Sequence, residues 1–287
     1  MYGRPVTVID AHHHLWDLSV RPQSWLEPPE LAPIRRSYGL DDLLPRAARC
    51  AVTGTVLVQT QPSPEETADF LRLAAPPDAL VRGVVGWVDL TAPDVADRLA
   101  ALRELPCGGR LVGIRHDVQN EPDPEWLLRP EVQRGLRAVA AAGLAYDVVV
   151  REPQWPAVRA AVRALPEVAF VLDHLGKPPI AAGRLEPWSG WLGELAAEPN
   201  VTAKVSGLVT EADWERWTAA DLRPYVERAL AAFGPGRLMF GSDWPVCLLA
   251  APYEEVARTA QELAAGLSGD ERAALFSGTA VRVYRLG

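Results

Sequence analysis

Cysteine is scarce: Cys50, Cys107 and Cys247 are scattered, odd in number and nowhere in CxxC spacing. That pattern excludes a disulfide framework and reads as free thiols in a reducing compartment. No apolar run reaches the ~18 residues that a membrane span needs, and the first residues lack the basic-then-apolar pattern of a signal peptide. Basic blocks are missing too. With a net charge of −8, nucleic acid and anionic membranes are set aside as partners. Neither GxGxxG nor GxxxxGK[ST] occurs, so no glycine-rich turn is built to cradle a nucleotide phosphate. Internal repeats and interdomain linkers are absent as well. The expectation is one soluble, cytoplasmic domain over residues 1–287 that acts on a small molecule, with homo-oligomerisation left open.

What is present is a series of eight apolar, β-branched runs: Val6–Ala11, Gly54–Gln59, Arg82–Val88, Leu111–His116, Leu144–Val150, Val168–Asp173, Val201–Val205 and Arg237–Gly241. Most are continuous and not alternating, as in parallel strands covered on both faces. Helical patterns lie between them. Ser63-Pro64-Glu65-Glu66 reads as a capping box with proline at the first helical position, and Gly143 stands where a helix ends. The last pattern, Asp270–Tyr284, reads as one helix. Strand–helix alternation repeated eight times predicts an α/β fold of the TIM (β/α)8 type, whose chemistry sits at the C-terminal strand ends.

The first such end is the most informative. Val6-Thr7-Val8-Ile9 runs into Asp10-Ala11-His12-His13-His14-Leu15-Trp16-Asp17. Alternation along a strand places Asp10, His12 and His14 on one face and His13 on the other. Two imidazoles at i and i+2 can meet a single metal ion, water or substrate. The other ends offer Gln59, then Arg115 and His116, then Asp173 and His174, then Lys204, then Ser242, Asp243 and Trp244. All five histidines fall at these ends and none elsewhere. Trp16 and Trp244, just past strand ends, are the two tryptophans expected to stack on a ligand.

Taken together these motifs resemble the amidohydrolase superfamily: His-x-His after strand one, Asp-His-Leu-Gly-Lys-Pro at strand six and Gly-Ser-Asp-Trp-Pro at strand eight. More narrowly, Gly113-Ile114-Arg115-His116, Lys204-Val205-Ser206-Gly207-Leu208 and the terminal Ala280-Val281-Arg282-Val283-Tyr284 are similar to the lactonase branch of sugar-lactone and pyrone-dicarboxylate lactone hydrolases. Thr279 stands where relatives commonly carry Asn. A larger departure concerns metal. Strand four has no lysine or carboxylate to bridge two ions, and strand five has no histidine. The resemblance therefore implies at most one divalent ion, most simply zinc on His12, His14, His174 and Asp243, or no metal at all.

Lactone opening would need Asp243 to take a proton from water and hand it to the leaving alkoxide, with His12, His14 and His174 polarising the carbonyl. Arg115, His116, Lys204, Gln59, Trp16 and Trp244 are the expected substrate contacts. Asp173 is expected on the opposite face, capping or supporting. The strand ends carry few arginines, which favours a neutral sugar (aldono)lactone over a dicarboxylate. The alternatives are a metal-dependent decarboxylase or hydratase on the same barrel, a hydrolase of another small ester or dicarboxylate lactone, and a barrel that only binds.

Overall fold

In the computed structural model, which describes residues 7–287, eight strands form one parallel sheet in the order β1 to β8. The first half runs β1 (Val8–His13), α1 (Leu40–Arg49), β2 (Val52–Val58), α2 (Pro64–Leu73), β3 (Val81–Gly86), α3 (Val95–Glu104), β4 (Leu111–His116) and α4 (Pro130–Ala141). The second half runs β5 (Ala145–Val148), α5 (Trp155–Ala164), β6 (Phe170–Leu172), α6 (Trp188–Ala196), β7 (Val201–Val205), α7 (Ala219–Phe233), β8 (Leu238–Phe240) and α8 (Tyr253–Leu263), followed by α9 (Gly269–Ala273) and α10 (Thr279–Tyr284). This is the expected TIM barrel. Of the first predicted strand, Val6 lies outside the described residues, and the observed strand runs on to His13.

The barrel closes where β8 returns to β1. Asp243 N donates to His12 O at 2.8 Å and His14 N to Trp244 O at 2.7 Å. Inside, Ile9, Ala11, Val56, Val58, Val85, Val112, Ala145, Val171 and Met239 fill the barrel, the branched interior layers that such barrels require. The end opposite the strand C-termini is stoppered by Ala280 and Tyr284 of α10, which join the same interior cluster. A larger apolar layer packs strands against helices. No described helix is long and apolar enough to cross a membrane.

Local signals act mostly as expected. Ser63 Oγ accepts from Glu66 N at 3.1 Å and Pro64 opens α2. The Glu66 carboxylate, however, reaches past the cap to Thr60 N, Thr60 Oγ and Gln61 N, so it ties the end of β2 to the helix instead of completing the box. Gly143 has φ +69°, the left-handed conformation that glycine adopts freely after a helix. The predicted single helix over 270–284 is split by a wide π turn at Ala274–Gly278. The extra residue in that turn lets Leu275 and Phe276 be buried while Ala280 and Tyr284 still point into the barrel.

Candidate active site

Three histidines and one aspartate meet over the C-terminal end of the barrel. Asp243 Oδ1 lies 3.5 Å from His14 Nε2, 3.7 Å from His12 Nε2 and 3.9 Å from His174 Nε2. The His12 and His14 Nε2 atoms are 3.1 Å apart. Residues distant in sequence thus share a volume no larger than a water or a carbonyl group.

Backbone strain places two of them. His174 has φ +53° and Asp243 φ +57°, a region that L-residues other than Asn, Asp and His rarely enter. The turn after β6 continues left-handed through Leu175, Gly176 and Lys177. Gly207 makes room: a Cβ there would come within 2.5 Å of His174 Nδ1 and 3.0 Å of Asp243 Oδ2. Gly241 does the same for His12, whose Cβ would lie 2.6 Å from a methyl at that position.

The outer ring nitrogens are anchored. His14 Nδ1 must donate to the Val58 carbonyl, 2.8 Å away, so its Nε2 offers a lone pair to the site. His174 Nδ1 meets Ser206 Oγ at 2.8 Å. Burial pushes the His174 imidazole down to about 4, against the opposing charge of Asp243, and drives His12 well below the ordinary histidine value. Burial alone would raise Asp243, but His174, His14 and His12 outweigh it and hold the carboxyl below its usual range. Near neutral pH the site is therefore an ionised Asp243 carboxylate beside neutral His12 and His174.

His14, His174 and Asp243 floor a cavity of about 480 Å³ that is also lined by Gln59, Arg115, Arg151, Trp25 and Trp214, with His12 buried just behind them. Arg115 is only 7 % exposed; its Nη1 donates to Asp173 Oδ2 at 3.1 Å and its Nη2 to the Gln59 carbonyl at 2.6 Å. Asp173 is a correction. It faces the barrel interior, 3.2 Å from His12 Nδ1 and 3.1 Å from Lys204 Nζ, because Val171 two residues earlier already points inward.

Other expected contacts lie elsewhere. Lys204 is fully buried beneath the histidines, paired with Asp147 at 2.5 Å, because two carboxylates, one on β5 and one just past β6, face it inside the barrel. His116 turns away from the cavity, stacks on Trp126 with centroids 4.3 Å apart and binds Glu121. Trp244 is fully buried against Tyr38, and Trp16 packs between Trp25 and Tyr38 with its Nε1 on the Arg36 carbonyl. Trp16 borders a separate cavity of about 600 Å³ beside α1 and α2, into which none of the His–Asp group opens. Asp10 also leaves the expected face. It lies between the interior residues Ile9 and Ala11 and so faces outward, to Ser242 and to Tyr253 of α8; the register shift after it in β1 turns His12 inward, while His13 bonds Thr55 Oγ. The sequence reading missed Trp25 and Trp214; their one signal is position, in the loops after β1 and β7 that build the mouth of such a barrel.

The donor set suits one small cation. Tetrahedral zinc with bonds of ~2.0–2.1 Å holds its ligand atoms about 3.3 Å apart, and His12, His14 and Asp243 span 3.1 to 3.7 Å. A second grouping, His12, Asp173 and His174, is also within ligand reach. A divalent metal can therefore be held here.

Fold and site together define a TIM-barrel enzyme with a His–Asp centre at the strand C-termini. Residues 9–286 match the amidohydrolase family profile, and the chain belongs to that family. It is 43% identical over 289 residues to an L-fucono-1,5-lactonase from Burkholderia multivorans, with 97% of this chain and 96% of that one covered. An L-fucono-1,5-lactonase from Burkholderia ambifaria is 39% identical over 282 residues, with 97% and 95% covered. Among solved structures, a B. multivorans amidohydrolase with bound zinc superposes with a TM-score of 0.92 at 40% identity, covering 98% of this chain and all of that one.

Proposed function

We propose that this protein hydrolyses a sugar lactone, opening an aldonolactone ring to the hydroxy acid. The observation that carries this reading is the Asp243 carboxylate set among three imidazoles at 3.5–3.9 Å on the floor of a cavity of about 480 Å³, large enough to admit a sugar ring. The two L-fucono-1,5-lactonase relatives support the substrate class.

Asp243 takes a proton from water as the water oxygen adds to the lactone carbonyl carbon. When the adduct collapses, the ring C–O bond breaks and Asp243 returns that proton to the departing alkoxide. The carbonyl oxygen, which gains charge on the way, is held by N–H donors from Arg115 and His174, both of which line the cavity. One such preorganised donor is worth ~3–4 kcal/mol. Gln59 and Arg115 position the ring, while Trp25 and Trp214 offer flat apolar surface to its carbon face. Held by His12, His14 and Asp243, a zinc ion would add Lewis-acid polarisation of the carbonyl or a more acidic bound water.

A panel of aldonolactones in a pH-indicator assay, with and without chelator, tests this. Acid release from one or more lactones is expected. No acid from any lactone, together with carbon dioxide from a carboxylated substrate, would replace the reading with decarboxylation.

A further inference from the structure

Beneath the His–Asp centre lies a second polar cluster with no path to solvent. Lys204, Asp147, Asp173 and His12 all have side chains 0% exposed. The Lys204 ammonium carries three N–H bonds; Asp147 Oδ2 at 2.5 Å and His12 Nδ1 at 3.1 Å are its hydrogen-bond acceptors, and Asp173 Oδ1 lies 3.1 Å away as an ion-pair contact without a hydrogen bond. From below, Tyr284 OH reaches both Asp147 oxygens, at 2.8 and 2.9 Å. An ion pair of this kind is costly to bury unless its donors find partners, so the bond to His12 Nδ1 is needed alongside the one to Asp147.

That requirement fixes a proton elsewhere. If Lys204 donates to His12 Nδ1, that nitrogen carries the lone pair, and the imidazole proton sits on Nε2. The upper side of the ring demands the same. His14 Nε2 has its lone pair aimed at His12, because the Val58 carbonyl holds its Nδ1 proton. Two lone pairs facing each other at 3.1 Å would repel, so without a cation between them one nitrogen must bring a proton. His12 is the partner that can. The Arg115 Nη1 approach to His12 Nε2 is the longest, at 3.4 Å, and that same Arg115 nitrogen lies 3.1 Å from Asp173 Oδ2.

We infer that Lys204 is a positioning residue that selects the tautomer of His12. With Lys204 in place, His12 turns an N–H toward His14 Nε2 and Asp243 Oδ1 just behind the cavity floor. Without it, the proton moves to Nδ1, where Asp173 Oδ1 waits at 3.2 Å, and Nε2 becomes a metal ligand held by a carboxylate behind it. The number of protons is the same in both forms. Lys204 thus sets the balance between a hydrogen-bonding site and a metal-binding one. The catalytic consequence rests on the lactonase reading above, but the tautomer and the metal affinity do not.

The test uses the full-length protein. Lys204→Met alone strands two buried carboxylates and can fail to fold, so the informative variant is Lys204→Met/Asp147→Asn, which removes the charged pair together. In wild-type protein stripped of metal, ¹⁵N spectra of the histidine rings are expected to show His12 protonated on Nε2; in the double variant, on Nδ1. Zinc affinity measured by chelator competition is expected to rise at least tenfold in the folded double variant. Metal-free lactone turnover is expected to fall at least tenfold in kcat, with KM changed less than threefold. A wild-type His12 already protonated on Nδ1, or a folded double variant with unchanged zinc affinity, overturns the proposal. If no lactone is turned over by the wild type, the lactonase reading fails while both other measurements still decide this one.

Discussion

Asp243 and His12 are joined twice: the Asp243 backbone N–H donates to the His12 carbonyl at 2.8 Å, and their side chains meet 3.7 Å apart in the cavity. The first contact closes the barrel between its last and first strands. The second assembles the site. The same two residues do both, so the seam of the barrel and the chemistry have one location.

Asp243→Asn is expected to lower kcat for lactone hydrolysis by at least 10³-fold, since the amide cannot accept the water proton. Its backbone N–H and its tolerance of positive φ are unchanged, so the thermal midpoint should stay within a few degrees. Turnover and circular dichroism on one preparation check this. A fully active variant would remove Asp243 from the role of base.

Gly207→Ala tests the close approach at the mouth. A methyl there would sit 2.5 Å from His174 Nδ1, on a residue with φ +62°. Left-handed backbone costs an L-residue about 1–2 kcal/mol, and the clash must also displace the imidazole. Both a lowered denaturant midpoint and a kcat loss of tenfold or more are expected. A variant that keeps wild-type kcat would show that His174 has room to move without consequence.

Trp25→Ala and Trp214→Ala are each expected to raise KM for a sugar lactone about fivefold, because an indole face laid against the ring is worth on the order of 1 kcal/mol, with kcat changed less. Trp244→Ala should behave in the opposite way. Its indole is fully buried against Tyr38, so truncation is expected to cost about 3–5 kcal/mol of stability and to leave the KM of the remaining folded enzyme near wild type. Steady-state kinetics paired with urea denaturation separate the two classes.

Acid sensitivity should report His13. Burial first, and the neighbouring His14 second, push its imidazole down to about 3, whereas in the unfolded chain it titrates near 6.5. Between those values the unfolded chain binds a proton that the native state refuses, so stability falls as pH falls below about 6.5. One such group adds up to ~1.4 kcal/mol per pH unit. His12 and His174 are pushed down in the same way, so His13→Gln is expected to lessen, by one group's share, the pH dependence of the urea midpoint between pH 6.5 and 4. An unchanged slope would mean that His13 is protonated in the native protein without penalty.

The barrel was legible because continuous apolar runs alternate with helical ones, a pattern with few physical solutions. His12, His14, His174 and Asp243 were legible for a related reason: each stands at the end of such a run, and barrel geometry brings those ends together. What alternation could not supply was the facing of residues where the strand stops being regular. The register shift in β1 after Asp10 turns His12 inward while Asp10 faces outward, and Asp173 stays on the interior side just past a strand only three residues long. Lys204 read as a substrate contact because its two buried carboxylate partners, Asp147 and Asp173, are far away in sequence. Trp16 and Trp244 follow strand ends closely, yet their indoles pack beneath the loops. The tryptophans lining the cavity come from long connections, whose paths no periodicity encodes.

The left-handed backbone at His174 and Asp243 bears on any attempt to make this protein more heat-tolerant. Glycine relaxes such positions at no cost to the fold's covalent frame. Sorting a random library by survival at high temperature would therefore enrich substitutions at these two positions. The hardiest survivors would be folded, soluble and inert, and only a screen that scores turnover alongside endurance would recover working variants.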